Sequence, residues 1–268
     1  MVYRNIHLAF RVILYVKLGA GQVLMAGIIE LDNVSFFAQN RDVVKNFSYE
    51  FEEGKSTALI GPSGSGKSTV LKLSAGILVP NEGVVSFRGQ DIFAMTRQEN
   101  LAFRKEASMV FQDSALWANQ TLYQILELPL RIHFPQMPHA ERGRRIREVL
   151  NDVGYKRDTG IRPAQLSMGE QKLIAFARAM MCRPRVLFLD EWTESLDESA
   201  AQRLIGLVQR HQKEQNTVIF VSHDMRIIKS VPDYIVMVVE GQFSIKISRK
   251  EMEEDEELAR YIERGIAS

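Results

Sequence analysis

The chain has 268 residues, which is enough for one large domain or two small ones around a substantial core. It carries 34 Lys and Arg against 33 Asp and Glu, and this net charge of +1 does not support a nucleic-acid binder, which usually shows a strong basic excess. The single cysteine, Cys182, excludes an internal disulfide and fits a reducing compartment. Its apolar surroundings, "AFARAMMCRP", favour a buried core thiol.

The N-terminal segment, residues 1–24, has two interpretations. Its most apolar stretch, residues 9–18, is too short to span a membrane and is interrupted by Arg11 and Lys17. These charges also make it a poor signal peptide. The segment is therefore either an amphipathic extension or a stretch upstream of a true start at Met25, and the strand-like opening "MAGIIELDNVSF" favours the second interpretation.

Short apolar runs separated by turns predict the first strands: "IIELDNVSF", "FSYEF", "STALIG" and "GVVSFRG". Residues 96–165 have a helical pattern, which Pro129, Pro135 and Pro138 are expected to break into pieces. Farther on, "RVLFLD" and "NTVIFVSHD" predict buried strands on either side of the amphipathic helix "ESAAQRLIGLVQRHQKEQ", and "DYIVMVVEGQF" predicts a late hairpin strand. This alternation predicts an α/β fold with a mostly parallel sheet flanked by helices. The acidic tail, residues 248–268, predicts a solvated C-terminal helix.

A phosphate-binding loop is the strongest motif. "GPSGSGKST" fits the pattern G-x-x-x-x-G-K-[ST], follows an apolar run and precedes the helix-like "VLKLSAG". Its glycines let successive backbone N–H groups turn toward one point, and the start of the helix adds its positive dipole end. Lys67 is expected to neutralise phosphate charge, and Ser68 to offer its hydroxyl to Mg²⁺. The predicted ATP-binding residues are Gly61, Pro62, Ser63, Gly64, Ser65, Gly66, Lys67, Ser68 and Thr69.

Two acidic residues end the buried strand "VLFLDE". In open α/β sheets, ligands bind at the carboxyl ends of the strands, so both side chains should face the phosphate loop. Asp190 is predicted to hold Mg²⁺, and Glu191 to polarise the attacking water.

The order of these motifs, from about residue 28 to residue 243, resembles the ATP-binding cassette (ABC) ATPases. Gln112 in "MVFQDSALW" resembles the glutamine of the Q-loop, which in that family contacts Mg²⁺ or the attacking water. "LSMGEQ" resembles the LSGGQ signature, and "ESLD", with Asp197, resembles the D-loop. His223 in "FVSHD" matches the histidine that contacts the γ-phosphate. This resemblance implies that Glu191, His223 and Gln112 are catalytic, and that Ser68, Gln112 and Asp190 bind the metal.

The resemblance also implies an architecture and an assembly. Residues 25–247 should form an ABC-type P-loop NTPase domain, with an antiparallel β subdomain and a helical subdomain at about 113–180. Two cassettes of this family close head to tail, so that each ATP lies between one P-loop and the signature of the other subunit. A homodimer is expected, in which Ser167, Gly169, Glu170 and Asp197 complete the partner's site in trans. Locally, Ser167 and Glu170 have the spacing of a capping box at a helix start.

Five positions depart from the family pattern. Met168 replaces the first glycine of the signature and Glu170 its glutamine, Trp192 replaces a proline, and Glu194 and Ser195 replace small residues. None of these removes a residue of the phosphate, metal or water site, so an active ATPase is expected.

The residue that stacks on adenine stays open. A gapless match places Ala38 at that position, so that Phe36 or Phe37 would have to serve.

The resemblance favours a transporter subunit, with ATP and Mg²⁺ as cofactors, that binds a separate integral membrane permease on the cytoplasmic face of the membrane. The docking surface would come from residues 111–134, beside the Q-loop and the helical subdomain. Its apolar residues Leu116, Trp117 and Leu122 each fit the core at least as well as a docking patch, but the stretch as a whole favours docking. The same stretch resembles cassettes of the Mla and Mce phospholipid-trafficking systems, which implies lipid as the cargo. Amino-acid importers, metal importers and lipoprotein-release systems stay open as alternatives. The direction of transport stays open.

Two other functions stay open. The chain is similar in size to the soluble ABC ATPase of iron–sulfur cluster assembly. Met168 and Trp192 also leave room for a regulatory cassette that hydrolyses ATP weakly.

Overall fold

The computed structural model describes residues 27–38 and 40–255. The interpretations of residues 1–24 and of the tail beyond residue 255 lie outside these ranges. Within them, no helix combines the length and the apolar character needed to cross a bilayer.

The strands are β1 (Gly27–Ala38), β2 (Arg41–Glu52), β3 (Ser56–Ile60), β4 (Glu82–Phe87), β5 (Gln90–Asp91), β6 (Ala107–Val110), β7 (Val186–Asp190), β8 (Thr217–Val221), β9 (Tyr234–Val239) and β10 (Gln242–Ser248). The α-helices are α1 (Lys67–Ser74), α2 (Arg97–Glu106), α3 (Leu122–His133), α4 (His139–Val153), α5 (Met168–Met180), α6 (Glu198–Lys213), α7 (Met225–Ser230) and α8 (Arg249–Glu254). A 3₁₀ turn, Pro163–Gln165, precedes α5.

A six-stranded sheet forms the centre of the molecule, in the order β10-β9-β3-β8-β7-β6. Its strands pair in parallel, except that β10 returns antiparallel to β9 as a hairpin. Strands β3, β7 and β8 are buried along their whole length, as their unbroken apolar runs predict. The predicted α/β class is therefore confirmed, and the carboxyl ends of β3, β7 and β8 meet at one edge.

A second sheet, entirely antiparallel, has the order β2-β1-β4-β5. It joins the central sheet where Lys45 N donates to Gly241 O at 2.9 Å. On another side, α3, α4 and α5 pack against one another. The central sheet, the antiparallel sheet and the helices α3, α4 and α5 leave the carboxyl edge of the central sheet facing the phosphate loop.

Two details of the 96–165 prediction were wrong. Residues Ala107–Val110 form a strand, because they pair in parallel with β7, and a four-residue run carries too little periodicity to reveal this. Pro129 lies inside α3 and does not break it. A proline removes one helical N–H and its hydrogen bond. The packing of the buried face of this helix, which includes Ile125 and Leu130, compensates for that loss, so the helix continues. Pro135 and Pro138 do lie between α3 and α4.

Candidate active site

The phosphate loop connects β3 to α1 and closes around its own lysine. Lys67 is buried, and its Nζ donates to the carbonyl oxygens of Gly61 and Pro62, each at 2.8 Å. Burial lowers the pKa of Lys67, and the nearby carboxylates of Glu191 and Asp190 oppose that effect. When a phosphate binds, the ammonium group of Lys67 can leave these two neutral carbonyl oxygens for charged phosphate oxygens, which form stronger hydrogen bonds with it.

Gly66 is the position where this loop most needs glycine. Its φ is 96°, a left-handed conformation, and it precedes the first residue of α1. A Cβ there would lie 2.7 Å from the carbonyl oxygen of Val43 on β2. The antiparallel sheet therefore supports the loop from behind, and only glycine fits between them.

The first turn of α1 is joined to the end of β7. Ser68 Oγ donates to Asp190 Oδ1 at 2.7 Å. Asp190 is fully buried, and its other oxygen, Oδ2, has no hydrogen-bond partner within the described part of the chain, although Lys72 Nζ lies 3.6 Å from it. A buried carboxylate oxygen without a hydrogen bond is costly, so this oxygen is available to a cation.

Glu191 follows β7 in a left-handed conformation, with φ of 43°, which is unusual for a residue with a side chain. His223, which follows β8, places its Nε2 3.3 Å from Glu191 Oε1, and its backbone N donates to Oε2 at 3.4 Å. Burial raises the pKa of Glu191; His223 opposes this shift, and the charges of Asp190 and Glu194 add to it. A carboxylate with a raised pKa is a better proton acceptor than an ordinary one.

Gln112 comes to the same place from the end of β6. Its Nε2 donates to Glu194 Oε2 at 3.1 Å. Its backbone carbonyl accepts from the buried ammonium of Lys172 on α5, which also lies 3.4 Å from the carbonyl oxygen of Phe111. Both the side chain and the backbone of Gln112 are therefore held by residues distant in sequence.

These residues surround one cavity of about 580 Å³. Its lining includes most of the predicted phosphate loop and four residues predicted for metal or catalysis: Ser68, Gln112, Glu191 and His223. Asp190 does not line the cavity itself but is hydrogen-bonded to Ser68, which does. The structure thus brings together the predicted loop, metal and catalytic residues, which come from four separate parts of the chain.

The comparisons with known proteins agree on one family. Residues 44–194, more than half of the chain, match the family described as ABC transporter. The nickel import ATP-binding protein NikE of Shigella flexneri serotype 5b is 34% identical over 212 residues, which cover 77% of this chain and 78% of NikE.

The chain belongs to the ABC transporter ATP-binding family.

Other proteins and solved structures of ATP-binding cassettes are also similar to this chain. The uncharacterized ABC transporter ATP-binding protein YejF of Escherichia coli is 34% identical over 204 residues, and the match covers 75% of this chain but only 38% of YejF. A dimeric structure of the ATP-binding cassette MJ0796, bound to ADP and Pi in a post-hydrolysis state, superposes with a TM-score of 0.76 at 27% identity, over 82% of this chain and 98% of that one. The structure of cbiO1 from Clostridium perfringens, part of the ABC transporter complex cbiONQ, superposes with a TM-score of 0.71 at 26% identity, over 88% of this chain and 94% of that chain.

The cassette is an ATPase that uses ATP with Mg²⁺. Its own residues fit the metal. The hydroxyl of Ser68 and Oδ2 of Asp190, which accepts no hydrogen bond from the described residues, are hard oxygen donors, and Gln112 can add an amide oxygen. Mg²⁺ prefers such oxygen donors and is usually held by one or two carboxylates together with phosphates.

The signature segment lies elsewhere, at the start of α5. Ser167 Oγ accepts from Glu170 N at 3.2 Å, and Glu170 Oε2 accepts from Ser167 N at 2.9 Å, so the predicted capping box is confirmed. Arg157 pairs with both oxygens of Glu170, at 2.9 and 3.0 Å. Met168 is 72% exposed. The structure does not bring this segment to the cavity of its own chain.

Gly169 and Asp197 have local partners in the structure. A Cβ on Gly169 would lie 2.9 Å from the carbonyl oxygen of Ser195, so the signature helix approaches that loop closely. Asp197 caps α6, where its Oδ1 accepts from Ala200 N at 2.9 Å. Neither residue lines the cavity.

Val43, on β2, lines the cavity, but the candidates for the residue that stacks on adenine do not. Phe36 packs against the core of the antiparallel sheet, and Phe37 is 42% exposed, but neither lines the cavity. The choice that the sequence left open therefore stays open.

A second cavity, of about 500 Å³, lies between β6, α3 and the C-terminal part of α5. Three exposed apolar residues line it: Ile77, Trp117 and Ile132. Arg178 also lines it, and its guanidinium donates to the carbonyl oxygens of Ala115 at 2.6 Å and Ser114 at 3.3 Å. The cavity is therefore apolar with a basic wall.

Of the apolar residues that fit either the core or a docking patch, Leu122 is fully buried in the core, because it begins α3 and faces inward. One expectation for this region was wrong. Cys182 was predicted as a core thiol, but it is only half-buried and lines the second cavity. Burial still raises its pKa to about 11, so the thiol stays neutral near neutral pH.

Sequence reasoning missed Lys72, Lys172 and the contact of Glu194. Lys172 lies three residues after Gly169 in the signature helix, and nothing in its local pattern indicates that its ammonium is buried. Glu194 did carry a signal, because it departs from the small residue usual at that position.

Proposed function

We propose that this cassette is the ATP-hydrolysing subunit of a transporter and powers a separate membrane permease through closure and opening of a dimer. The observation that carries the proposal is the single cavity lined by the phosphate loop together with Gln112, Glu191 and His223. Such a set suits phosphoryl transfer to water, because it supplies phosphate binding, metal ligands and a proton acceptor in one place.

The phosphate loop, residues 61–69, binds the nucleotide through its backbone N–H groups and the start of α1. Lys67 leaves the carbonyls of Gly61 and Pro62 to bind the β- and γ-phosphates. Ser68, Asp190 and Gln112 hold the metal. When bound, Mg²⁺ neutralises charge on the β- and γ-phosphates.

Glu191 accepts a proton from the attacking water. Its burial and the raised pKa that follows support this role. His223 lies within 3.3 Å of it and is placed at the same edge, where it contacts the γ-phosphate and keeps Glu191 oriented.

The domain comprises residues 25–247, with a helical subdomain at about 113–180, and the acidic tail, residues 248–268, continues from it. Two copies close head to tail. Ser167, Gly169, Glu170 and Asp197 then complete the partner's site, with the start of α5 directed at the γ-phosphate. The exposure of Met168 at this helix start and the dimeric state of the similar cassette MJ0796 support that assembly.

The permease docks at the second cavity, which places the complex at the inner face of the membrane. Ile77, Trp117 and Ile132 expose apolar surface that a short permease helix can cover, and seven residues of the stretch 111–134 line the cavity. No nucleic acid is involved.

For the cargo, we propose lipid, on the resemblance of residues 111–134 to lipid-trafficking cassettes. A second candidate, import of a metal ion such as nickel, rests on the names of the NikE relatives. The test is to purify the native complex in detergent, identify the membrane partner, and analyse bound lipid and metal by mass spectrometry. Bound phospholipid supports the first candidate, and bound nickel without lipid rejects it.

Two alternative functions have their own tests. The iron–sulfur assembly alternative predicts that the cassette co-purifies with soluble partners and without a multi-spanning protein. The weakly hydrolysing regulator predicts that the native protein and Glu191→Gln are equally inert. Measured ATP turnover of both proteins, alone and with the permease, tests the regulator, and the identity of the co-purifying partners tests the iron–sulfur alternative.

A further inference from the structure

Glu194 occupies an unusual place in the active-site cavity. It lies in the turn after β7, where its backbone N donates to the carbonyl oxygen of Glu191 at 3.2 Å. Its side chain lines the cavity together with Glu191, Lys67 and Ser68, yet it is exposed and belongs to no buried core cluster. A carboxylate here has no evident role in stabilising the fold.

The contact of Glu194 is specific. Glu194 Oε2 accepts from Gln112 Nε2 at 3.1 Å, across 82 positions of sequence. The backbone of Gln112 is held by a different residue, because the buried Lys172 donates to the carbonyl oxygen of Gln112. With its backbone held from one side and its amide from the other, Gln112 has little freedom left.

The carboxylate of Glu194 determines which end of the Gln112 amide faces it. An amide has a donor end and an acceptor end, whereas an ionised carboxylate only accepts. Glu194 therefore selects the Nε2 end of Gln112 and leaves Oε1 as the end available to a ligand. A serine or alanine at position 194 could not make that selection, and an amide there could bond to either end.

We infer that Glu194 is a positioning residue, which fixes the amide of Gln112 so that its Oε1 faces the metal. This inference rests on the proposed function, since it gives a partner to a proposed metal ligand. Glu194 acts through Gln112 and does not itself touch the metal. Removing Glu194 should therefore matter only while Gln112 is present.

The test measures metal binding directly. In a Glu191→Gln background, which prevents turnover, free Mn²⁺ is counted by electron paramagnetic resonance in the presence of ATP, with Mn²⁺ as the probe for the Mg²⁺ site. Glu194→Ala should weaken Mn²⁺ binding about fivefold, the size expected for loss of one hydrogen bond. Glu194→Gln, which can still accept, should lose less. ATP affinity in EDTA should not change, and Glu141→Gln, an exposed carboxylate on α4, serves as the control.

The decisive comparison is a double-mutant cycle with Gln112→Ala. If Glu194 positions Gln112, then Glu194→Ala has no further effect on Mn²⁺ affinity once Gln112 is gone. An equal loss in both backgrounds would show that Glu194 acts only as a negative charge near the metal, and tighter Mn²⁺ binding by Glu194→Ala would show that it restrains Gln112 from the metal. Either result overturns the inference. If none of the proteins binds ATP in EDTA, the proposed function itself fails.

Discussion

Ser68 Oγ lies 2.7 Å from Asp190 Oδ1, so the first turn of α1 is hydrogen-bonded to the end of β7. This contact crosses 122 positions of sequence and fixes the distance between the phosphate loop and the strand that carries the acidic residues. The contact therefore holds the two proposed metal ligands together in the protein itself.

Ser68→Ala removes both the hydroxyl ligand and the hydrogen bond to Asp190. We expect the Mg²⁺ concentration for half-maximal ATP hydrolysis to rise about tenfold, since loss of groups that orient a metal site usually costs at least that much affinity. Ser68→Thr keeps the hydroxyl and is the matched control. An unchanged Mg²⁺ dependence in the alanine variant would place the metal elsewhere.

Glu191→Gln should lower the turnover of ATP while it raises the free energy of unfolding. Loss of the proton acceptor should lower the turnover of ATP by about 10²- to 10⁴-fold. At the same time the free energy of unfolding at neutral pH should rise, because the neutral amide avoids the cost of burying the ionised carboxylate. Urea unfolding of both proteins checks this.

The pH dependence of that stability difference follows from the pKa. Burial raises the pKa of Glu191 above its ordinary 4.5, so the folded protein binds this proton more tightly than the unfolded chain does. The native protein is therefore penalised above the raised pKa, and the penalty disappears as the pH falls through it. The gap between Glu191→Gln and the native protein should narrow on acidification, and a gap that widens would contradict the shift.

Met168→Gly tests the departure in the signature. The residue begins α5 and is 72% exposed, so its side chain can be removed without opening the core. If the start of α5 meets the partner's phosphate, the smaller residue allows closer approach, and we expect turnover to rise about threefold, equivalent to ~0.7 kcal/mol. Met168→Ala shortens the side chain but keeps Cβ and should gain less. Unchanged turnover in both variants would make the departure neutral.

Trp192 replaces the usual proline and is fully buried, with its ring centroid 6.0 Å from that of Phe176. Trp192→Ala should lower the free energy of unfolding by about 3–5 kcal/mol through the cavity it leaves. Its Nε1 has no hydrogen-bond partner among the described residues, so Trp192→Phe removes an unsatisfied donor and should cost far less. Equal losses in the two variants would mean that the indole nitrogen has a role of its own.

His211 should make the fold sensitive to acid. It is buried on α6, and burial, together with the charge of Arg185, lowers its pKa to about 4. The unfolded chain therefore binds this proton more tightly, so stability falls as the pH drops from 6.5 toward 4, by about 3 kcal/mol. His211→Gln should show a shallower loss in urea unfolding over that range. Identical pH profiles would exclude His211 as the source.

The elements and residues that the sequence predicted correctly have local signals. The phosphate loop has its own fixed spacing, and "VLFLDE" has an unbroken apolar run that ends in acid. Ser167 and Glu170 formed the predicted capping box because that contact spans only three residues. These features require no knowledge of the rest of the fold.

Other features depend on tertiary contacts and could not be predicted in this way. Strand β6 exists because β7 lies beside it, and Pro129 stays in a helix because the buried face of α3 outweighs one lost hydrogen bond. The pairing of Gln112 with Glu194 joins two loops that no periodicity relates. A departure from a family pattern, as at Glu194, was the only local sign of it.

Helix α5 carries two cationic side chains that hold different stretches of chain. Lys172 binds the carbonyl of Gln112 beside the nucleotide cavity, and Arg178, six positions later, binds the carbonyls of Ser114 and Ala115 beside the second cavity. At 1.5 Å of rise per residue, the backbone positions of Lys172 and Arg178 are about 9 Å apart along the helix axis. One helix therefore holds the backbone beside the nucleotide cavity and the backbone beside the second cavity, so the two cavities share a common support.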